Sequence, residues 1–262
     1  MARTGATSVM KFKTGNGEIT VNVATKAALE MRVRERFADG QGFALATLNL
    51  DHLVKLAVDP EFRAAYQAQD LVVADGNPIV WLSRLARHPV ELLPGSDLVI
   101  PLAELAAQSG HSVALVGSTE ESLRRAGAAL CAEIPGLQVA LVIAPPFGFD
   151  PDGPDADAIL REVADSGARL CFIALGAPKQ ERFAARGRTV APGVGFASIG
   201  AGLDFLSGNQ TRAPLWVRRF ALEWLWRLLG QPRRMLMRYL HCFRILPGHV
   251  LRALRQRNSS GG

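Results

Sequence analysis

The sequence predicts an α/β fold, a doubly wound and mostly parallel sheet that carries a basic, amphipathic helical appendage at its C-terminal end. Two observations predict the sheet and a third the appendage. From about residue 40 to residue 200, short apolar runs closed by turn residues alternate with helix-length segments, the pattern of strands joined by crossover helices. The chain has 262 residues, 48% of them hydrophobic and 21% charged, enough to bury a sizeable core and too apolar for a disordered protein. After Gly208 the composition shifts to arginine, tryptophan and leucine. These changes divide the chain into an α/β domain over 1–208 and the appendage over 209–262.

Taken in order, "EITVNVATKAALEMRVRERF" reads as a short strand and a helix. The apolar runs that follow predict strands over 43–50, 71–74, 112–117, 138–144, 169–176 and 193–199. Between them, helical spacing predicts helices over 52–68, 78–87, 97–109, 120–133, 155–166 and 179–186. Strand, helix, strand in this order feeds right-handed crossovers into one Rossmann-like sheet. Beyond residue 208 the helical segments are punctuated at Gly230-Gln231-Pro232 and again at Pro247-Gly248.

Charge and cysteine content narrow the function classes. Cys131, Cys171 and Cys242 are odd in number and lack CxxC spacing, so the sequence suggests neither a disulfide framework nor a zinc site. The five histidines show no metal-ligand spacing, and no Ser/His/Asp set assembles. The N-terminus lacks the apolar stretch of a signal peptide, and no run reaches the ~18 apolar residues of a membrane span. A reducing, cytoplasmic setting is expected. From Arg212 onward there are eleven arginines and one acid, Glu223, for a net +10, whereas residues 1–211 carry −4. Such a tail implies an anionic partner: phospholipid, nucleic acid or a phosphorylated substrate. At about 100° per residue, Arg233, Arg234, Arg238, His241 and Arg244 share one side of the second tail segment, and Met235, Leu236, Tyr239, Leu240, Phe243 and Leu246 the other. That division suits a helix lying in a membrane interface. The plainer alternative is a helix packed on the main domain with a solvated basic face.

Several strand ends carry chemistry-bearing residues. "ATLNLDHL" places Thr47 and Asn49 two residues apart on one side of a strand, where they line a cleft or cap the next helix, a task open to Asp51 as well. "LVVADGNPIVWL" sets Asp75 at a strand tip, positioned as a general base or as part of an Asp-Gly turn or helix cap. "LVGSTEESL" matches neither GxGxxG nor GxxxxGK[ST] and reads best as a helix capped by Ser118. The D-x-D in "FDPDGPDADAIL" reads as helix capping and dipole complement rather than as a metal site. "FIALGAPKQERFAARGR" leaves a buried strand through Gly176-Ala177-Pro178 and at once presents Lys179, Gln180 and Glu181, expected to face a cleft.

Together, "TLNLDHL", "DLVVADGNPIVWL", "LPGSDL", "ALGAPKQERF" and "GVGFASIGAGLDFLSGNQTRAPLWVRRFALEWLWRLLGQPRRMLMRY" resemble, in order and spacing, the WecG/TagA/CpsF family of bacterial glycosyltransferases (glycosyltransferase family 26), over roughly residues 40–240. The resemblance implies an inverting transferase that needs neither metal nor cofactor. Its donor would be a UDP-sugar carrying N-acetylmannosamine, its uronic acid or a related hexose, and its acceptor a polyprenyl-diphosphate-linked saccharide of cell-envelope or exopolysaccharide assembly. The enzyme would sit peripherally on the inner face of the cell membrane, on anionic lipid. By the same resemblance Asp75 matches the proposed base, Thr47 and Asn49 pocket residues, and Gln180 a contact near the donor sugar. Arg212, Arg227, Arg234 and Arg238 belong to the matching tail, whose arginines are thought to close over the site and neutralise the departing diphosphate. One departure stands out: relatives carry an arginine where this chain reads Leu92-Leu93, a place that Arg84 or Arg87 would have to fill unless donor or acceptor differs.

Two other readings compete. A nucleic-acid-binding or scaffold module would use the tail to grip phosphates, but its aromatics share the aliphatic face instead of interleaving with arginines, so no nucleic-acid partner is expected. A nicotinamide-dependent enzyme lacks its glycine fingerprint and ribose-binding acid. Exposed apolar residues on the tail would also offer a surface for self-association.

Overall fold

The computed structural model describes residues 10–210, 213, 214, 217 and 222–259; the side chains of 227, 234 and 259 lie outside the described set. The first elements are a hairpin, β1 (Met10–Thr14) and β2 (Gly17–Val21), and the helix α1 (Lys26–Ala38). The sheet strands are β3 (Phe43–Leu48), β4 (Leu71–Ala74), β5 (Val113–Gly117), β6 (Val139–Ile143), β7 (Leu170–Ala174) and β8 (Gly195–Ser198). They lie in the order β4-β3-β8-β7-β5-β6, and every pairing is parallel. All six expected strands form. Between them run α2 (Leu50–Val58), α3 (Pro60–Gln67), α4 (Asn77–Leu85), α5 (Gly95–Gln108), α6 (Glu120–Glu133), α7 (Pro154–Asp165) and α8 (Lys179–Val190), and α9 (Gly202–Leu206) follows β8. The tail supplies α10 (Glu223–Gly230) and α11 (Pro232–Ser259).

Strand residues alternate between two faces, as the pleat requires. Phe43, Leu45, Leu71, Val73, Leu115 and Phe172 pack with α1, α5, α6 and α9. On the other face Ala46, Leu48, Val72 and Ala74 pack with the hairpin, α2, α3, α4 and α11, while Cys171, Ile173 and Phe196 meet α7 and α8. The helix after β3 therefore covers one face and the helix after β8 the other, so the sheet has a switch point between neighbouring strands β3 and β8. Open α/β sheets bind ligands in such crevices.

Four expectations change. The helix expected over 52–68 is two, because Asp59 ends α2 in an extended conformation and its carboxylate then caps α3, whose first residue is Pro60. The hairpin partner β1 joins β2 through "TGNG", with Gly15 at φ +52. The hairpin side guards the edge strand: Asn22 accepts from Val72 N and donates to Asp70 O, and Val23 N donates to Val72 O. α6 is capped by Thr119, not Ser118, which takes φ +47 and donates to Asp204 at 2.5 Å. Finally, α11 runs through Pro247 without a break. Cys242 before the proline and His249 and Ala253 after it are all buried, so packing holds both halves against the body and outweighs one missing backbone hydrogen bond.

At the opposite end of the sheet from the crevice, Asp70 accepts from Arg36 (3.2 Å), Arg188 (2.7 Å) and Ala44 N (2.8 Å), joining α1, α8 and β3 to the start of β4. Asp70→Ala leaves two guanidinium groups and a backbone N–H without their shared acceptor and is expected to cost about 2–4 kcal/mol in a denaturant titration. A loss below about 0.5 kcal/mol would show that the clamp contributes nothing.

Candidate active site

The C-terminal ends of β3, β4, β7 and β8 converge on the crevice. Asp75 follows the last residue of β4, half-buried, with its N–H donating to Leu48 O at 2.7 Å. Gly76, at φ +105, turns the chain into α4. That conformation is open to glycine and strained for any residue with a Cβ, although a Cβ there would meet only ordinary contacts, Asn49 Cβ and Pro78 Cδ at 3.8 Å. The N-cap of α4 is Gly76, one residue beyond Asp75. The Asp75 carboxylate lies 3.5 Å from Thr47 Oγ1 on the adjacent strand. Gly76→Ala should therefore swing the Asp75 backbone, lower turnover by at least about tenfold and cost about 1–2 kcal/mol of stability; wild-type kcat in this variant would show that the turn does not position the carboxylate.

Asn49 fulfils the capping alternative: its Oδ1 accepts from His52 N at 3.0 Å and starts α2. Two residues on, Asp51 pairs with Lys55 (3.0 Å) and with Arg238 of α11. Arg238 Nε is 3.2 Å from Asp51 Oδ1 yet lacks hydrogen-bond alignment, so the contact is ionic. The arginine side expected of the second tail segment is thus not uniform. Arg238 turns inward beside buried Met235 and Cys242, while Arg233, His241 and Arg244 are exposed. Leu236, Leu240 and Phe243, expected together with Met235, are exposed instead.

The Lys179-Gln180-Glu181 triplet does not line the rim. Lys179 donates to Phe149 O at 2.6 Å and ties the loop before α7 to the start of α8. Gln180 is only 2% exposed and Glu181 is 0% exposed. The Gln180 amide is used at both ends: its oxygen accepts from Gly200 N (3.1 Å) and its nitrogen donates to Glu181 Oε1 (2.8 Å). Gln180 and Glu181 share the buried face of α8 with Phe183, Ala184 and Gly187. Lys55 reaches across from α2 to Ala177 O at 3.2 Å.

Beneath the crevice lie titratable groups that sequence reasoning missed. His52 Nδ1 is 3.1 Å from Tyr66 Oη, and both side chains are buried. Burial lowers the His52 pKa to about 3, so the ring is neutral. Burial first, and then the negative charges of Glu181 and Asp75, push the Tyr66 phenol well above its usual value. Arg84 and Arg87 are exposed at the far end of α4 from Asp75, about 13 Å of helix away. They do not fill the place of the arginine missing at Leu92-Leu93, where Leu93 belongs to the core. In the D-x-D segment, Asp157 lies in the first turn of α7 and is held by Arg186 (2.6 and 2.8 Å), and the α7 N-cap is Gly153 rather than an acid. Arg212 and the side chains of Arg227 and Arg234 fall outside the described residues.

The family model described as "Glycosyl transferase WecG/TagA/CpsF family" matches residues 16–261. The chain belongs to this family. It is a glycosyltransferase, and the sequence signature it shares with the family spans both the sheet and the tail helices. The strand order places the ligand crevice of this open α/β sheet between β3 and β8. Among the described residues no helix is long and apolar enough to cross a membrane.

Proposed function

We propose that the enzyme transfers a hexosyl group, N-acetylmannosamine, its uronic acid or a related sugar, from a UDP-sugar to a polyprenyl-diphosphate-linked saccharide with inversion at the anomeric carbon. The observation that carries this reading is the Asp75 carboxylate, held at a strand tip in the switch-point crevice, 3.5 Å from Thr47 and with its backbone fixed to Leu48. An acceptor hydroxyl there attacks the anomeric carbon from the face opposite UDP. Its proton passes to Asp75 as the bond between sugar and diphosphate oxygen breaks. In a metal-independent reaction, as the resemblance implies, the charge growing on UDP is met by guanidinium groups. Arg238 supports this role, because its ion pair with Asp51 brings α11 to the start of α2, two residues beyond Asn49. Gln180 acts by holding the Gly200 loop, since its buried amide is engaged within the protein at both ends.

The tail supports a peripheral position on an anionic bilayer. Leu229, Leu236, Met237, Leu240 and Phe243 are more than half exposed, and Trp224, packed edge-on against Tyr239 and Phe243, is exposed beside them. Exposed Arg233 and Arg244 flank these side chains, so apolar groups and cations reach the same surface. A panel of UDP-sugars tests the reading. The true donor should raise the melting midpoint, by about 2.7 kcal/mol of stability at a hundred times its Kd, and should be consumed only when a polyprenyl-diphosphate saccharide is added. If no UDP-sugar stabilises the protein or is consumed, the reading fails.

A further inference from the structure

We infer that Gln180 and Glu181 form a buried positioning pair that fixes the loop following β8 at the floor of the crevice. The inference rests on the crevice being the transfer site. Gly200, at φ +58, opens that loop, and its N–H is held by Gln180 Oε1. On its other side the loop is gripped by α5: a Cβ on Gly95 would come within 2.9 Å of Ile199 O, and one on Gly202 within 2.8 Å of Val99. Only one orientation of the Gln180 amide can accept from Gly200, and the Glu181 carboxyl selects it by accepting from Gln180 Nε2. Glu181 is in turn anchored through its own carbonyl, which accepts from Gln69 Nε2 at 3.0 Å. The chain of contacts runs from Gln69, just beyond the end of α3, through the start of α8 to the Gly200 loop.

The surroundings of Glu181 favour the neutral acid. Its Oε2 is buried without a hydrogen-bond partner, and Gln69 Oε1 is a second unpartnered oxygen of the same network. A proton on Oε2 turns one of two buried acceptors into a donor. The charged and titratable groups that act on it are Lys55 from α2 and Tyr66 from α3, with neutral His52 beside Tyr66 and Asp75 at the end of β4 acting on Tyr66 in turn. Lys55 is already engaged by Asp51 and Ala177 O. Burial pushes the Glu181 pKa up to about 7, above the ordinary 4.5. The native chain therefore holds this proton more tightly than the unfolded one. The associated stability is complete below about 4.5, is lost as the pH climbs to about 7, and does not change further above that.

Glutamine copies the protonated acid and cannot ionise, so Glu181→Gln isolates this effect. Its melting midpoint relative to wild type should climb from pH 5 to pH 8, a readout that needs no substrate. Hydrogen exchange in the peptide 195–206 should stay slow in Glu181→Gln and speed up at least about tenfold in Glu181→Ala and Gln180→Ala. With donor and acceptor present, kcat should hold within about threefold in Glu181→Gln and fall at least about tenfold in the alanine variants. Unaltered exchange around Gly200 in both alanine variants would overturn the positioning role even if no transfer activity can be reconstituted. A Glu181→Gln protein that is less stable than wild type at pH 8, or shows no pH-dependent difference, would overturn the neutral acid.

Discussion

Replacing Asp75 by asparagine lowers kcat by about 10²–10⁴-fold, the usual contribution of a positioned general base, while UDP binding and the melting midpoint stay near their wild-type values. The substitution keeps the shape of the side chain and its contact with Thr47 Oγ1, and it leaves the Asp75 N–H on Leu48 O untouched. What it removes is the ability to take a proton from the acceptor hydroxyl. Thr47 is buried and contributes orientation, so Thr47→Val should fall well short of the Asp75→Asn defect. Steady-state kinetics with a saturating donor would decide the matter, and turnover within about threefold of wild type in Asp75→Asn would remove Asp75 from the chemistry.

Deleting the tail and altering its surface are expected to have different consequences. Deleting 209–262 strips buried Cys242 and Ala253, together with the partly buried Ile245, Leu246 and Val250, from the side of the body built by α2, α4 and the hairpin, and removes buried Met235 and His249. It also removes the Gln256 hydrogen bond to Lys11 O (2.7 Å) and the packing of Phe12 on His249. At about 1.5–3 kcal/mol for each large apolar side chain buried, this loss is comparable with the ~5–15 kcal/mol that holds a domain folded. The truncated chain should precipitate or melt at least about 10 °C lower. Leu236→Ser combined with Leu240→Ser touches only the outward face, since both side chains are about half exposed. That double variant should melt like the wild type and bind phosphatidylglycerol vesicles at least about tenfold more weakly. Undiminished vesicle binding by the double variant would show that this face does not meet the bilayer.

Much of the fold was legible because the signals are local. Each sheet strand is a short, nearly uninterrupted apolar run such as "LVVA" or "LCFIA", and each ends at a turn residue. The break within 52–68 was written in Asp59-Pro60, a cap followed by the residue that favours the first helical position, and the extra hairpin strand in "TGNG". The crevice was less legible. Asp75 and Thr47 are 28 positions apart and meet only because β3 and β4 pair with Thr47 opposite Val73 and Leu48 opposite Ala74. Glu181 gave no sign of burial from its residue type, since glutamate is usually exposed; only the packing of α8 against α3 encloses it.

The sequence by itself determined the parallel α/β architecture, the family and the carboxylate at the tip of β4, because periodicity, turn chemistry and motif order are properties of neighbouring residues. The tertiary structure decided which way each polar group faces. It turned Gln180 and Glu181 into the interior, brought Arg238 onto Asp51 and carried α11 unbroken past Pro247. Those outcomes depend on strand order and on which helix covers which face, and a buried polar group is tolerated only where a partner distant in the chain arrives to meet it.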